Sequence, residues 1–277
     1  MPTSLPRSFL FVPGDRPERF AKACAAGADV VIVDLEDAVA PADKAKARVA
    51  VSAWLSPAQP VLLRINAAAT EWFRDDIELC ARPGVAGIVL PKAERVEDIA
   101  LVALHAGGVT PIYPLIETAR GMGNAQEIAA TPRVRRLVFG AIDFQLDLNI
   151  DGDDLELLHF RSQLVLASRI AGIDAPVDGV TVAVDDPGQL RAETLRAKRL
   201  GFGGKLCIHP RQVAPVNACF RPTAADVEWA RRIIDAAAQA GGGAMAVNGA
   251  MVDRPVLLKA RRILADAERD AAPARSN

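Results

Sequence analysis

Acidic and basic residues recur where short apolar runs end in this 277-residue chain. "VVIVDLEDAV" carries four β-branched residues straight into Asp34, Glu36 and Asp37. "PVLLRIN" brings Arg64, "GIVLPK" Lys92, "PLIET" Glu117, "RRLVFGAID" Asp143 and "KLCIHP" His209. Three carboxylates at the end of one buried strand repel one another unless cations stand nearby, and Arg64 and Lys92 are of the right sign. Glu117 and Asp143 have no histidine or cysteine company. Such a pair suits a hard, oxygen-seeking cation such as Mg²⁺, which keeps several waters and takes oxygens from a substrate. The same spacing also allows each carboxylate to cap the helix that follows or to pair with Arg64 or Lys92. On either reading both are expected on a solvent-facing rim.

Groups spread over 176 positions, from Asp34 to His209, meet only if the strands carrying them share one end. Helical stretches such as "PERFAKACAAGA", "RVEDIALVALHAG" and "DPGQLRAETLRAKRLGFG" separate most of the apolar runs. Alternating strands and helices demand a parallel sheet. The first six strand ends recur at roughly 21 to 30 residues, near the unit of a (β/α)8 barrel, and all strands of such a barrel open their C-terminal ends on one face. The fold expected is therefore a (β/α)8 TIM barrel over residues 1–220, with strand 7 at "DGVTVAV" after a long helical stretch. Residues 221–277 form a C-terminal helical extension and lid. "TAADVEWARRIIDAAAQA" is helical, Gly241 to Gly243 form a hinge, and a short extended piece precedes a last helix with Pro255 in its first turn.

Composition removes several function classes. A net charge of −1 leaves no electrostatic footprint for nucleic acid or an anionic membrane. No apolar run approaches the roughly 20 residues of a membrane span, and the N-terminus lacks a signal peptide's apolar segment. Cys24, Cys80, Cys207 and Cys219 form no C-x-x-C pair, so four unpaired thiols in a reduced, cytoplasmic setting are expected. Three histidines without an H-E-x-x-H pattern argue against a zinc site. "GFGGK" lacks the spacing of a phosphate-cradling loop, and its glycines end a helix instead. His209 reads as a packing residue, and Lys92 as an ion-pairing group rather than a Schiff-base lysine.

"RSFLFVPGDRPERFAKA", "VVIVDLEDAVAPADKAKAR", "LLRIN", "GIVLPKAE", "PLIETARGMGNAQEIA", "VFGAIDF" and "GFGGKLCIHPRQV" together resemble the citrate lyase β-subunit-like family. That family belongs to the HpcH/HpaI aldolase group of the phosphoenolpyruvate/pyruvate barrel superfamily. The resemblance runs from about Arg7 to about Ala265. It implies a carbon–carbon lyase that joins or splits a CoA thioester and a 2-oxo acid, as malyl-CoA and citramalyl-CoA lyases do. Other outputs it allows are a malyl-CoA thioesterase, a citrate lyase β subunit using a carrier-bound thioester, and a CoA-binding barrel without turnover. It implies Glu117 and Asp143 as Mg²⁺ ligands and Arg64 as a substrate-binding, catalytic arginine. Asp253 of "GAMVDRPV" becomes a catalytic aspartate acting on the neighbouring subunit's site in a homo-oligomer, a trimer or hexamer. Without the resemblance, Asp253 reads as the N-cap ahead of Pro255. Lys22 is placed against CoA phosphates, with Arg16 and Arg19 beside it; all three also read as solvated helix charges. Glu36 and Asp37 match a family "D-x-E-D" run and position Arg64, Lys92 or a metal-bound water at the substrate site.

Overall fold

The computed structural model describes residues 5–239, 245–247 and 250–271. The expected hinge at Gly241 to Gly243 lies outside these residues. The chain divides into two compact units, one of residues 5–217 and one containing the described residues from Ala218 onward.

In the first unit strands and helices alternate: β1 (Ser8–Pro13), α1 (Phe20–Cys24), β2 (Val30–Asp34), α2 (Lys44–Trp54), β3 (Val61–Arg64), α3 (Phe73–Ile77), β4 (Val85–Leu90) and α4 (Val96–His105). They continue through β5 (Ile112–Ile116), α5 (Ala119–Gly123), α6 (Ala125–Ala130), β6 (Val138–Phe139), α7 (Ala141–Leu148) and α8 (Leu155–Ala171). β7 (Val177–Asp178), α9 (Pro187–Leu200) and β8 (Gly204–Cys207) follow, and α10 (Pro210–Phe220) begins in this unit and ends past its boundary. The eight parallel strands close into a barrel in sequence order, and β8 returns to pair with β1 through Ser8 with Lys205, Phe9 with Leu206 and Leu10 with Cys207. Strands of one hand with crossover helices have both faces covered, which is why β2 and β3 read as unbroken apolar runs. The barrel interior is filled by Phe9, Ile32, Leu62, Val89, Tyr113, Leu115, Val138, Val177 and Leu206. It is a packed core, and a cavity opens at the face carrying the strand C-termini.

Strand 7 departs from expectation. It occupies Val177–Asp178 rather than the "DGVTVAV" stretch. Asp178 ends it by turning to Arg161 of α8, whose Nε lies 3.0 Å from its Oδ1. Burial of that pair fixes the strand end earlier than hydrophobic pattern alone suggests. The glycines of "GFGG" do end a helix: Gly201 follows α9 with φ +103°, a conformation that glycine alone adopts without strain.

The second unit holds α11 (Ala224–Gln239), the antiparallel pair β9 (Met245–Val247) and β10 (Ala250–Val252), and α12 (Arg254–Ala271). Ala230, Ile233, Val252 and Ala260 form its small core. Pro255 is the second residue of α12, where a missing N–H costs nothing. Among the described residues no helix is long and apolar enough to cross a membrane, and none of the four cysteines forms a disulfide.

Candidate active site

The site is built outward from the end of β2. Asp34 is buried and accepts from Arg64 twice, Nε to Oδ1 and Nη2 to Oδ2, both at 2.6 Å. The backbone N–H groups of Glu36 and Ala38 fill its remaining lone pairs. Asp34 thus holds both the arginine and the turn that leaves β2. The Arg64 guanidinium also lies 4.7 Å over the Phe11 ring. Its Nη1 comes within 2.9 Å of Glu36 Oε2 and 3.6 Å of Asp37 Oδ2. Burial opposes the arginine's charge, but Asp34, Glu36 and Asp37 more than restore it and hold the group above its usual range.

The β2 turn is clamped from behind. Lys44, the first residue of α2, donates to the carbonyls of Leu35 and Glu36 at 2.7 Å each. Asn66 donates to the same Leu35 carbonyl at 3.0 Å and is itself tied to Asp76. Burial pulls the Lys44 ammonium below its ordinary value, against the attraction of Asp34 and Glu36. Glu36 is aimed by this clamp so that its Oε1 meets Lys92 Nζ at 2.9 Å. Its Oε2 is buried and has no hydrogen-bond donor despite the nearby Arg64 nitrogen. An unfilled buried acceptor of this kind is suited to a water or a substrate hydroxyl.

Glu117 follows β5 and is only 1% exposed. The backbone N–H of Lys92 donates to its Oε1 at 2.7 Å. To aim that N–H, Lys92 takes φ +45°, a left-handed conformation uncommon for a residue with a side chain. On the other side Gly140 makes the room: a Cβ there would lie 2.5 Å from both Cβ and Oε2 of Glu117. One oxygen is therefore taken by backbone, and the other occupies the space that glycine leaves. Burial, then the nearby charge of Glu36, lifts this carboxyl to about 8, with Lys92 opposing and Asp143 adding to the rise. The expected solvent-facing rim position is correct for the half-buried Asp143 but not for Glu117. Asp143 also does not end a strand. It sits in the first turn of α7, because the chain turns from β6 at Gly140 directly into that helix.

Asp34, Asp37, Arg64, Glu117 and Asp143 line one cavity of about 410 Å³ at the strand C-termini. With Glu36 there are five carboxylates, faced by Arg64 and Lys92. Adding Lys44 behind the turn still leaves the carboxylates in excess. No cluster of three or more histidine, cysteine or acidic side chains poised for a metal occurs among the described residues. Glu117 and Asp143 offer oxygen donors alone, a chemistry that fits a cation keeping water and substrate oxygens rather than one caged by protein.

The other expected residues sit as follows. Lys22 is exposed on α1, and Arg16 and Arg19 each lie 3.9 Å from Glu18. His209 is half-buried ahead of α10, where its Nδ1 accepts the Arg211 N–H at 3.1 Å. Asp253 precedes α12 in the second unit, where its Oδ1 accepts the Val256 N–H at 3.3 Å. Sequence reasoning missed the clamp by Lys44 and Asn66 and the accommodation by Gly140. A lysine opening a helix runs against the helix dipole, and that was the available signal for Lys44. Nothing in sequence marks Gly140.

The family profile described as HpcH/HpaI aldolase/citrate lyase matches residues 7–210, and one described as C–C bond lyase of the TIM-barrel fold matches residues 173–270. A citrate lyase subunit beta-like protein of Deinococcus radiodurans is 39% identical over 95% of this chain and 98% of its own. A (3S)-malyl-CoA thioesterase of Cereibacter sphaeroides is 38% identical over 96% of each. Among solved structures, the protein CitE from Mycobacterium tuberculosis in complex with magnesium, acetoacetate and coenzyme A superposes with a TM-score of 0.85. The two are 38% identical, over 95% of this chain and 98% of that one.

Proposed function

The chain belongs to the HpcH/HpaI aldolase/citrate lyase family, and from that premise we propose that it is a Mg²⁺-dependent carbon–carbon lyase that cleaves a 3-hydroxyacyl-CoA thioester to an acyl-CoA and a 2-oxo acid. The observation that carries this reading is the excess of carboxylate around one cavity: Glu117 and Asp143 line it, while the cations there are shared, Arg64 with Asp34 and Glu36 and Lys92 between Glu36 at 2.9 Å and Glu117 at 3.9 Å. Glu117 and Asp143 would hold the Mg²⁺. When bound, the ion supplies Lewis-acid polarisation of the substrate's carboxylate and hydroxyl oxygens.

The chain's own residues account for the rest. The hydroxyl passes its proton to the open acceptor of Glu36, directly or through a water, the bond between hydroxyl carbon and α-carbon breaks, and the electron pair passes into the thioester as an enolate. Arg64 has its Nε and Nη2 fixed on Asp34, so it offers its remaining N–H bonds to the enolate oxygen from a frame that does not reorganise. Glu36, oriented by Arg64 and Lys92, has an open acceptor for the substrate hydroxyl or a water. Asp37 lies 3.6 Å behind Arg64 and adds to its charge balance. Protonation of the enolate carbon falls to Asp253, supplied by a neighbouring copy in a homo-oligomer. Lys22 meets the CoA phosphates. We place the protein in the cytoplasm, a reading that the CoA chemistry proposed here supports.

A second reading is supported by the (3S)-malyl-CoA thioesterase relative: the same site would admit water to the thioester. The two differ in product. Purified protein incubated with malyl-, citramalyl- and citryl-CoA, with Mg²⁺ and after chelation, should yield a 2-oxo acid and no free thiol. Release of CoA thiol in step with substrate loss would favour hydrolysis, and inertness with all thioesters would refute both.

A further inference from the structure

Glu117 and Asp143 stand on different elements, so one cation can use both only if their separation is fixed. Strand pairing fixes one side. The Gly140 N–H donates to the Ile116 carbonyl at 3.0 Å, which ties the residue before Glu117 to the residue before α7. β6 is only two residues long, so this tether alone does not set the swing of α7 about Gly140. Phe144 packs on Phe139 and Phe160, but apolar contact has no direction of its own.

The other side is fixed by Asp147. It lies four residues after Asp143, one turn along the same face of α7. Its Oδ2 accepts the Ala119 N–H at 2.7 Å. Ala119 opens α5, so its N–H has no acceptor within that helix. Thr118, the cap, takes the Gly121 N–H at 3.0 Å, and its hydroxyl donates to Glu94 at 2.9 Å. The turn after Glu117 is thus tied both to α7 and to the loop that carries Lys92. Asp147 itself is exposed and does not line the cavity, and no step of the reaction uses it.

The two tethers bracket both carboxylates. Glu117 lies between Ile116 and Ala119 in one segment, and Asp143 lies between Gly140 and Asp147 in the other. We infer that Asp147 is a positioning residue that sets the separation of Glu117 and Asp143, and with it the preference for Mg²⁺ over larger divalent cations. That role rests on the reading of Glu117 and Asp143 as the ligands. Mg²⁺ demands near-ideal octahedral geometry at about 2.0–2.1 Å, whereas Ca²⁺ takes oxygens at about 2.3–2.6 Å in adaptable arrangements. A pair held at one separation serves the smaller ion, and a pair that swings still serves the larger. The strut works through geometry rather than charge, because the Ala119 N–H needs only an acceptor oxygen, which an asparagine amide also offers.

Calorimetric titration of Asp147→Ala and Asp147→Asn with Mg²⁺ and with Ca²⁺, at one alkaline pH, tests this without any thioester. Asp147→Ala should weaken Mg²⁺ binding by roughly 10- to 100-fold, the usual cost of losing a group that orients a metal ligand. Ca²⁺ binding should fall several-fold less, so that the preference for Mg²⁺ narrows. Asp147→Asn should bring both affinities back near those of the parent. The metal-free variants should melt close to the parent, since the side chain is exposed. Equal losses for the two cations would reduce Asp147 to an ordinary helix cap and overturn the inference. So would an Asp147→Asn protein as weak as Asp147→Ala, which would make the missing charge the cause. If the parent binds neither cation, the ligand assignment fails and this role falls with it. If the parent binds Mg²⁺ and Asp147→Ala binds it equally well, the ligand assignment stands and the strut alone is refuted.

Discussion

Glu117 concentrates the chemistry of the site in a single titration. Its carboxyl is lifted from an ordinary 4.5 to about 8, chiefly by burial. Between those values the folded chain holds a proton that the unfolded chain has lost. Stability of the metal-free protein should therefore be highest on the acid side and fall as pH rises through that window. Mg²⁺ requires the ionised form, so its affinity should rise about tenfold per pH unit up to about 8 and level off above it. Below that pH one proton should be released per ion bound, which calorimetry in buffers of different ionisation heat measures directly. Glu117→Gln should remove both the proton release and the binding while leaving the melting temperature at pH 8 unchanged or raised. Retention of pH-dependent Mg²⁺ affinity in that variant would transfer the role to another carboxylate. Arg64 shows the opposite design: its charge is fixed by Asp34, Glu36 and Asp37 and does not titrate in any accessible range.

Two turns, β4 into α4 and β6 into α7, carry Glu117 between them. The first contributes the Lys92 N–H and the second contributes the absence of a side chain at Gly140. Gly140→Ala should push the carboxylate off its N–H, lowering Mg²⁺ affinity at least about tenfold and also the melting temperature, as overpacking does. Gly123→Ala is the matched control, since a Cβ there meets nothing within 4 Å and alanine favours the helix. Equal effects of the two on metal binding would mean that the space at Gly140 is incidental. These turns also mark how far sequence could be read. The strand ends bearing Asp34, Arg64, Lys92 and Glu117 were legible, because a β-branched run followed by a charge has few other uses. Asp143 was legible as a site residue but misplaced on a strand, since β6 spans only Val138–Phe139 and the apolar residues after it already belong to α7. Burial of Glu117 was not legible, for it depends on the Lys92 backbone and Gly140, 25 and 23 positions away in sequence.

At the scale of the molecule, the proposed lyase reaction needs a group that protonates the enolate carbon, and Asp253 in the second unit is the residue proposed for it. Its observed hydrogen bond to the Val256 N–H is that of a helix cap, which asparagine makes equally well. Asp253→Asn should therefore keep the melting temperature and Mg²⁺ affinity while slowing turnover by roughly 10²- to 10⁴-fold. If the residue serves a neighbouring copy, mixed oligomers of Asp253→Asn and Glu117→Ala chains should recover part of the activity that both parents lack. Mixed oligomers as inactive as both parents, after confirmed subunit exchange, would exclude the shared site, and full activity of Asp253→Asn would exclude proton transfer. The closed barrel has a further consequence, in time rather than space. β1 emerges first during synthesis, yet its partner β8 is made about 200 residues later. At about 5–20 residues per second that is a wait of ~10–40 s. Throughout it "SFLFVP" is an uncharged, apolar strand with one side unpaired, the kind of segment that recruits other chains. What shields the nascent chain during those seconds therefore bears on how much of it reaches the closed barrel, separately from the finished barrel's own stability.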